Sequence, residues 1–364
     1  MKPLGLALVL LVVAAAQGAS AAPAPAPKPR TLVTTQGRIL SLAQDGAGIA
    51  WLEYGRQGRC NRIHVRFGNR ERLLPAGAGS ATCRWRRALA RAGLALAGQR
   101  VLWTLHQPGA VERDFVFTAG LADPSERRLA TLSHGKDGVG TWLGDIGGDR
   151  ATLAYSTVNI SHVDENDCRR GGDCAVKLNG GATWRVIRDG VREIPDAGGA
   201  MAMAVGAGRV ALVAPTRTSE DGRPFAGPGA SIRILNGVTG RKEGSLHSPV
   251  QVKELALSPK WAVALTSGNR RKSIELYELK SERFIGDSVV GPKASDVSVS
   301  ANKMIVYRID RHIWSLDPDG NRRKLVTAPT TPFGLSIEDR RVIWAENSGG
   351  TGRIRALTLP RLGR

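Results

Sequence analysis

The sequence contains few aromatic residues, few cysteines and no apolar stretch of the length that a bundle of membrane spans requires. Only 5% of its 364 residues are aromatic, four are cysteines, and the mean hydropathy is −0.17. A protein that crosses a bilayer repeatedly needs several apolar stretches of about 20 residues. The hydrophobic fraction of 42% still suffices for a buried core, so the composition also excludes a wholly disordered chain.

Linear motifs of catalysis are missing as well. No serine lies in a G-x-S-x-G turn, and neither H-E-x-x-H nor G-x-x-x-x-G-K-[ST] occurs. The glycine-rich segment that begins at Gly135 has neither dinucleotide nor P-loop spacing and is typical of turns between strands. The six histidines are scattered without ligand or triad spacing; they are His64, His106, His134, His162, His247 and His312. The linear sequence therefore predicts no enzyme class.

Residues 1–21 have the pattern of a secretory signal peptide. Lys2 precedes an apolar stretch from Leu4 to Ala16, and Ala19 and Ala21 form a small-residue cleavage site. We expect cleavage after Ala21, with an uncleaved anchor as the alternative. The pattern predicts a secreted or periplasmic bacterial protein that has no transmembrane segment after cleavage.

Residues 22–30 form an Ala/Pro-rich linker. Alternating Ala and Pro cannot build a core or a strand ladder, so the segment predicts an extended polyproline-type spacer or a plain unstructured tail. The remaining residues, 31–364, are expected to form one domain and a monomer.

The four cysteines become informative once export is expected, because an oxidising compartment favours disulfides. Their number allows two bridges and three pairings. The pairing of Cys60 with Cys83 and of Cys168 with Cys174 closes the shortest loops, and it is the one that we predict. Zinc is disfavoured at Cys168 and Cys174, because five residues separate them and no second thiol pair lies nearby.

Short β-rich segments recur along the chain from Thr31 onward. Each unit contains a strongly apolar strand that serves as its marker. The markers are IAWLEY at 49, RVLWTLH at 100, ATLAYS at 151, RVALVA at 209, WAVALTS at 261, MIVYRI at 304 and RVIWAE at 341. An alternating strand follows each marker. Spacing near 40 to 50 residues is typical of a four-stranded propeller blade. We therefore predict an all-β protein that forms a seven-bladed β-propeller. Six or eight blades are the alternatives, because residues 81–92 could form a helix.

The last unit ends without a fourth strand. The segment TLVTTQ, residues 31–36, is β-rich and has no unit of its own. We predict that this amino-terminal strand completes the last blade, because it would close the ring and cover an exposed sheet edge.

Three segments carry a resemblance to a known family. AQDGAGIAWLEY at 43, LSPKWAVALTS at 257 and DRHIWSLDPDGNRRKLVT at 310 resemble the TolB-like and WD-related bacterial β-propeller repeats. The resemblance implies a propeller and, by analogy with TolB, a periplasmic protein partner. It extends over most of residues 37–360 at the level of repeats, and no TolB-type amino-terminal domain is expected before Thr31.

The charge balance of 52 Lys and Arg against 32 Asp and Glu gives a formal net charge of +20. Such a field attracts an anionic partner, either an acidic protein or an envelope polymer. Loops from second to third strands share one propeller face, and their cations predict a binding surface formed by Arg56, Arg59, Arg169, Arg170, Arg217, Arg223, Arg270, Arg271 and Lys272. A general composition effect is the alternative, since the opposite face also carries cations. No motif for sequence-specific nucleic-acid binding is present.

The loop SHVDENDCRRGGDC is the most unusual insertion. Asp164, Glu165, Asp167 and Asp173 place four carboxylates close together in sequence, where a calcium ion could bind. We favour an exposed, disulfide-tied loop without a cofactor and keep calcium as the alternative.

Two functions remain open. The first is an exported binding or scaffold module for a protein or an anionic cell-envelope component. The second is a propeller hydrolase or lactonase with a metal ion at the central channel, whose ligands would come from several blades. Carboxylates from three blades at one channel end would favour the enzyme, whereas a small and apolar lining would favour the binding module.

Overall fold

The computed structural model is all-β in the residues that it describes. No α-helix occurs among them, and none of their segments is a helix that could span a membrane. The described residues are 28–55, 60–74, 93–150, 152–163, 176–219, 222–268, 270–317 and 319–360.

The strands group into four-stranded antiparallel units, which we call blades 1–7 in chain order. Blade 1 contains β2 (Ile39–Asp45), β3 (Gly48–Glu53), β4 (Arg62–Phe67) and β5 (Arg70–Leu74). Blade 2 contains β6 (Leu94–Ala97), β7 (Arg100–Gln107), β8 (Val111–Gly120) and β9 (Arg127–Gly135). Blade 3 contains β10 (Gly140–Asp149), β11 (Thr152–His162), β12 (Val176–Ile187) and β13 (Gly190–Glu193).

The second half of the chain repeats this arrangement. Blade 4 contains β14 (Ala202–Gly206), β15 (Arg209–Val213), β18 (Ser231–Asn236) and β19 (Lys242–His247), with an inserted hairpin of β16 (Arg217–Thr218) and β17 (Pro224–Phe225). Blade 5 contains β20 (Gln251–Leu257), β21 (Trp261–Gly268), β22 (Arg271–Glu278) and β23 (Arg283–Val290). Blade 6 contains β24 (Ala294–Val299), β25 (Ile305–Ile309), β26 (His312–Leu316) and β27 (Arg322–Thr327). Blade 7 contains β28 (Phe333–Glu338), β29 (Arg341–Ser348), β30 (Thr351–Thr358) and, from the other end of the chain, β1 (Arg30–Thr35).

The blades form a closed ring. Five of them are separate four-stranded sheets, whereas blades 2 and 3 are joined into one eight-stranded sheet. That junction consists of a single residue pair, Gly140 with His134 on β9. Each innermost strand contacts the next, in the order β2, β6, β10, β14, β20, β24 and β28, and β28 contacts β2. The seven-bladed β-propeller is therefore confirmed, and each of the seven apolar markers is the second strand of a blade.

The amino-terminal strand completes blade 7. β1 pairs antiparallel with β30, from Arg30 opposite Ala356 to Thr35 opposite Gly352. The Thr35 hydroxyl also donates to the Gly352 carbonyl at 3.1 Å. The prediction that an amino-terminal strand completes the last blade is confirmed. This strand begins and ends one residue earlier than the predicted segment 31–36.

Burial is high in the second strand of each blade and lower in the outermost strand. In blade 1, β3 is buried along nearly its whole length, whereas β5 exposes all its residues except Leu74. This gradient follows from the ring geometry, because the faces of second strands pack between two neighbouring blades and the outermost strands meet water. Close packing also requires Gly148 on β10, where an added Cβ would lie 2.6 Å from the Leu96 carbonyl of blade 2.

Several predictions fall on residues outside the described part of the chain. They are the signal peptide, most of the linker, the possible helix at 81–92, and the acidic loop with Asp164, Glu165, Asp167 and Asp173. Cys60 is disulfide-bonded, but Cys83, Cys168 and Cys174 lie outside the described residues. The cysteine pairing and the calcium site therefore remain predictions.

Candidate functional site

The wall of the central channel contains polar side chains that link neighbouring blades. The channel-side edge of an innermost strand has no further strand to pair with, so its backbone N–H groups need other acceptors. Side chains of the preceding blade supply them. The bonds are Gly98 N to Asp45 Oδ2 at 2.6 Å, Met203 N to Asp145 Oδ2 at 2.8 Å, Ala207 N to Asp149 Oδ2 at 2.5 Å, Val297 N to Glu254 Oε2 at 3.1 Å and Ile337 N to Ser298 Oγ at 3.2 Å.

Asp145, on β10, accepts two backbone N–H groups. Burial raises its pKa to about 6, although hydrogen bonds from the backbone N–H groups of Met203 and Ile146 favour the charged form. Burial also raises the pKa of Glu254, and the neighbouring Asp296 raises it further. The channel is thus acidic inside a strongly basic protein.

A cavity of about 280 Å³ lies at the channel end where first strands turn into second strands. Carboxylates of blades 1, 3 and 7 converge at this end. Burial raises the pKa of Asp149, and Asp45 adds to the shift by repulsion and a hydrogen bond. Burial likewise raises the pKa of Glu338, with Asp149, Asp339 and Asp45 adding to it.

The same cavity has features of a structural channel. Asp45 and Asp149 already accept backbone N–H groups, and glycine, alanine and valine on β10 and β14 form much of the lining. Within the described ranges, no group of three or more His, Cys, Asp or Glu residues is placed to hold a metal ion. The cavity therefore combines the converging carboxylates expected of an enzyme with the small apolar lining expected of a binding module.

A larger cleft, of about 1130 Å³, opens at the opposite face between blades 4 and 5. The face of β22 and β23 forms its floor, and the link from β19 to β20 forms one wall. Blades diverge away from the axis, so the outer strands of blade 5 are not covered by blade 4. Phe284 and Val289 are consequently half-exposed. We call this feature the blade 4–5 cleft.

The floor of the blade 4–5 cleft is held by a buried polar network around Glu275. Ser248 Oγ donates to Glu275 Oε1 at 3.2 Å, and Tyr277 Oη donates to Glu275 Oε2 at 2.5 Å. Burial and the adjacent carboxylate raise the pKa of Tyr277, so its hydroxyl keeps its proton. This network fixes the floor of the cleft and leaves both carboxylate oxygens occupied.

The predicted basic surface is only partly covered by the described residues. Arg56, Arg59, Arg169 and Arg170 lie outside them. Arg217, Arg223 and Arg270 are exposed in connections between second and third strands, as expected. Arg271 is exposed, lines the blade 4–5 cleft and makes no side-chain hydrogen bond or ion pair with a described residue. Lys272 instead donates to the Ala294 carbonyl of blade 6 at 2.7 Å, which gives it a structural contact.

The fold also assembles a histidine cluster that sequence spacing did not predict. His106 Nδ1 lies 2.9 Å from Asp114 Oδ1, and its Nε2 lies 3.4 Å from Glu112 Oε2. His134 Nε2 lies 3.7 Å from the same Glu112 oxygen, and its ring stacks on Trp142. Strand register explains the cluster, since β7–β8 pairs His106 with Asp114 and β8–β9 pairs Glu112 with His134. The histidine cluster could have been found from the sequence if the register of these hairpins had been predicted.

Solved structures with the same fold provide the comparison. Acylaminoacyl peptidase from Pyrococcus horikoshii is similar with a TM-score of 0.52 at 9% identity, over 88% of this chain and 51% of that chain. This chain thus spans about half the length of that enzyme. BamB from Moraxella catarrhalis gives a TM-score of 0.44 at 9% identity, over 90% of this chain and 84% of that one. TolB from Acinetobacter baumannii gives 0.37 at 16% identity, over 71% and 55%.

No protein-family model matches the chain, and no curated protein matches it significantly. At these identities the structural similarity shows the fold alone. It supports the β-propeller that the TolB-like repeats implied and extends no further into that family.

Proposed function

We propose that this protein is an exported β-propeller that binds a partner and performs no chemistry of its own. The observation that carries the proposal is the blade 4–5 cleft. It exceeds the roughly 300–1,000 Å³ of an ordinary small-molecule site. Its size suits a segment of a macromolecule.

The cleft combines features that favour a polypeptide partner. Phe284 and Val289 offer apolar contact area, and Arg271 offers an exposed guanidinium beside them. Aromatic residues and arginine are enriched at protein interfaces. Because the net charge is +20, we infer an acidic protein of the cell envelope, with an anionic envelope polymer as the second class of partner.

Affinity capture from a cell-envelope extract tests this proposal. The wild-type protein, Arg271→Glu and Phe284→Ser are compared at low and high salt. Arg323→Glu is the matched control, because it makes the same charge change on an exposed residue of blade 6. We expect the cleft variants to lose the captured partner and the control to keep it. Equal loss with all charge variants, or complete loss in high salt, would indicate charge without a specific site and contradict the proposal.

A channel hydrolase is the second candidate, and the convergence of Asp45, Asp149 and Glu338 supports it. Its test is metal analysis of the purified protein, followed by thermal melting with and without a chelator. Two results would favour this enzyme over the binding module. The purified protein would contain one equivalent of metal, and the chelator would lower the Tm of the wild type but not that of Asp149→Asn.

A further inference from the structure

Three arginines meet where the ring closes. Arg341 begins β29 and Arg30 begins β1, and both lie on the face of blade 7 that packs against blade 1. Arg66, on β4 of blade 1, faces them across the junction and donates through Nη1 to the Leu32 carbonyl at 2.8 Å. We call this group the closure arginines.

The closure arginines repel one another. Burial lowers the pKa of Arg341, and the positive charges of Arg30 and Arg66 lower it further. None of the three forms an ion pair with a described residue. Two acids lie opposite these arginines by register. Glu338 lies opposite Arg341 on β28 and forms no ion pair with it, and Glu71 lies opposite Arg66 and binds His64 Nδ1 at 2.7 Å.

Arg341 also carries an unmet donor. Its Nε is buried and has no hydrogen-bond acceptor among the residues that the structure describes. A buried donor without a partner costs free energy, and so does the approach of three cations. Both costs disappear if an anion lies between the guanidinium groups.

A second arginine pair shows what a purely structural arrangement looks like. Arg127 lies close enough to Arg100 to lower its pKa. Both nevertheless donate to backbone carbonyls of blade 3, Arg100 to Ile187 and Arg127 to Arg188 and Asp189. Each of these two arginines thus has an acceptor on the protein, whereas the Arg341 Nε has none among the described residues.

We propose that Arg30, Arg66 and Arg341 form a binding site for a phosphate-class oxyanion at the seam between blades 7 and 1. Planar guanidinium groups donate pairs of hydrogen bonds to phosphate oxygens, and such bonds are the strong ones because both partners are charged. The anion would supply the acceptor that Arg341 Nε lacks and screen the repulsion among the three cations. The site is independent of the blade 4–5 cleft and of the partner that the cleft binds.

Titration calorimetry of the purified full chain with inorganic phosphate and with pyrophosphate tests the site. We expect Arg341→Gln to weaken binding by at least about tenfold. Arg341→Lys should recover part of this loss, because it restores the charge without the paired donors. Arg323→Gln, on the exposed outermost strand of blade 6, is the control and should leave the affinity unchanged. In anion-free buffer the Tm of Arg341→Gln should be equal to or above that of the wild type, since the repulsion is relieved.

Vesicles separate the two sources of phosphate. The ligand is a lipid headgroup if the protein binds phosphatidylcholine vesicles that contain phosphatidylglycerol, does not bind vesicles of phosphatidylcholine alone, and loses this binding in Arg341→Gln. Binding of the soluble anions without the vesicles assigns a free phosphate compound. The proposal is overturned if neither probe binds, if the control loses as much affinity as Arg341→Gln, or if Arg341→Gln lowers the Tm and leaves affinity unchanged.

Discussion

The innermost and outermost strands of this propeller each have an edge without a neighbouring strand. The backbone groups along these two edges are satisfied in different ways. Around the channel, carboxylates such as Asp145 and Glu254 accept backbone N–H groups across three of the blade junctions. At the rim, charged and polar side chains face water, and blade 7 gains a strand from the other end of the chain. The comparison teaches that a channel-side edge is satisfied by side chains of the neighbouring blade, whereas a rim edge is left to water.

Removal of β1 should have the largest effect on this arrangement. A chain that starts at Gln36 loses the β1–β30 ladder and exposes the edge of β30. We expect the free energy of unfolding to fall by more than about 3 kcal/mol and the protein to associate through the exposed edge. Urea unfolding and light scattering measure both effects. A chain that starts at Lys28 keeps β1 and is the control; equal behaviour of the two chains would contradict a closing role.

Asp145→Ala should have the next largest effect. It leaves the backbone N–H groups of Met203 and Ile146 without their acceptor. We expect the free energy of unfolding to fall by about 2 kcal/mol, as measured by urea denaturation. Asp319→Ala, in an exposed turn of blade 6, should change it by less than about 0.5 kcal/mol. If both variants unfold alike, the inner carboxylates do not hold the ring.

The pH dependence of stability should reveal the same carboxylate. The pKa of Asp145 is about 6 in the folded protein against 3.8 as the usual value, so the folded state takes up a proton before the unfolded chain does. Stability from this group therefore rises as pH falls from about 7 to about 4, by at most about 1.4 kcal/mol per pH unit. Carboxylates with lowered pKa, such as Glu53 and Glu243, act in the opposite direction. The difference between wild type and Asp145→Asn isolates the effect, and parallel curves for the two would exclude it.

Tyr277→Phe should have the smallest effect on stability. The variant removes the hydroxyl that donates to Glu275 in the floor of the blade 4–5 cleft. We expect a loss of about 1 kcal/mol in thermal or urea unfolding. Tyr54→Phe, at a more exposed tyrosine of blade 1, should be neutral. If Tyr277→Phe leaves the stability unchanged, the hydrogen bonds around Glu275 do not fix the floor of the blade 4–5 cleft.

The repeat pattern predicted most of the fold. The apolar markers became the buried second strands because a run such as that at 261–268 must be covered on both faces. The strand at 31–36 was identified as the one that closes the ring because the last unit lacked a fourth strand. The site was less accessible to prediction. The basic binding surface stays a prediction, and the pattern did not show that Lys272 is engaged by blade 6 or that Arg271 lines a cleft.

By itself, the sequence predicted the repeated strands, seven blades with six or eight as alternatives, and the segment that closes the ring, because these follow from the strand pattern within repeat units of a few tens of residues. Only the tertiary structure decided which side chains meet across blade junctions, such as Asp145 with Met203 or Arg66 with Arg341. Those contacts depend on how the blades are packed around the axis. Strand register sets that packing, and it leaves no local pattern along the chain.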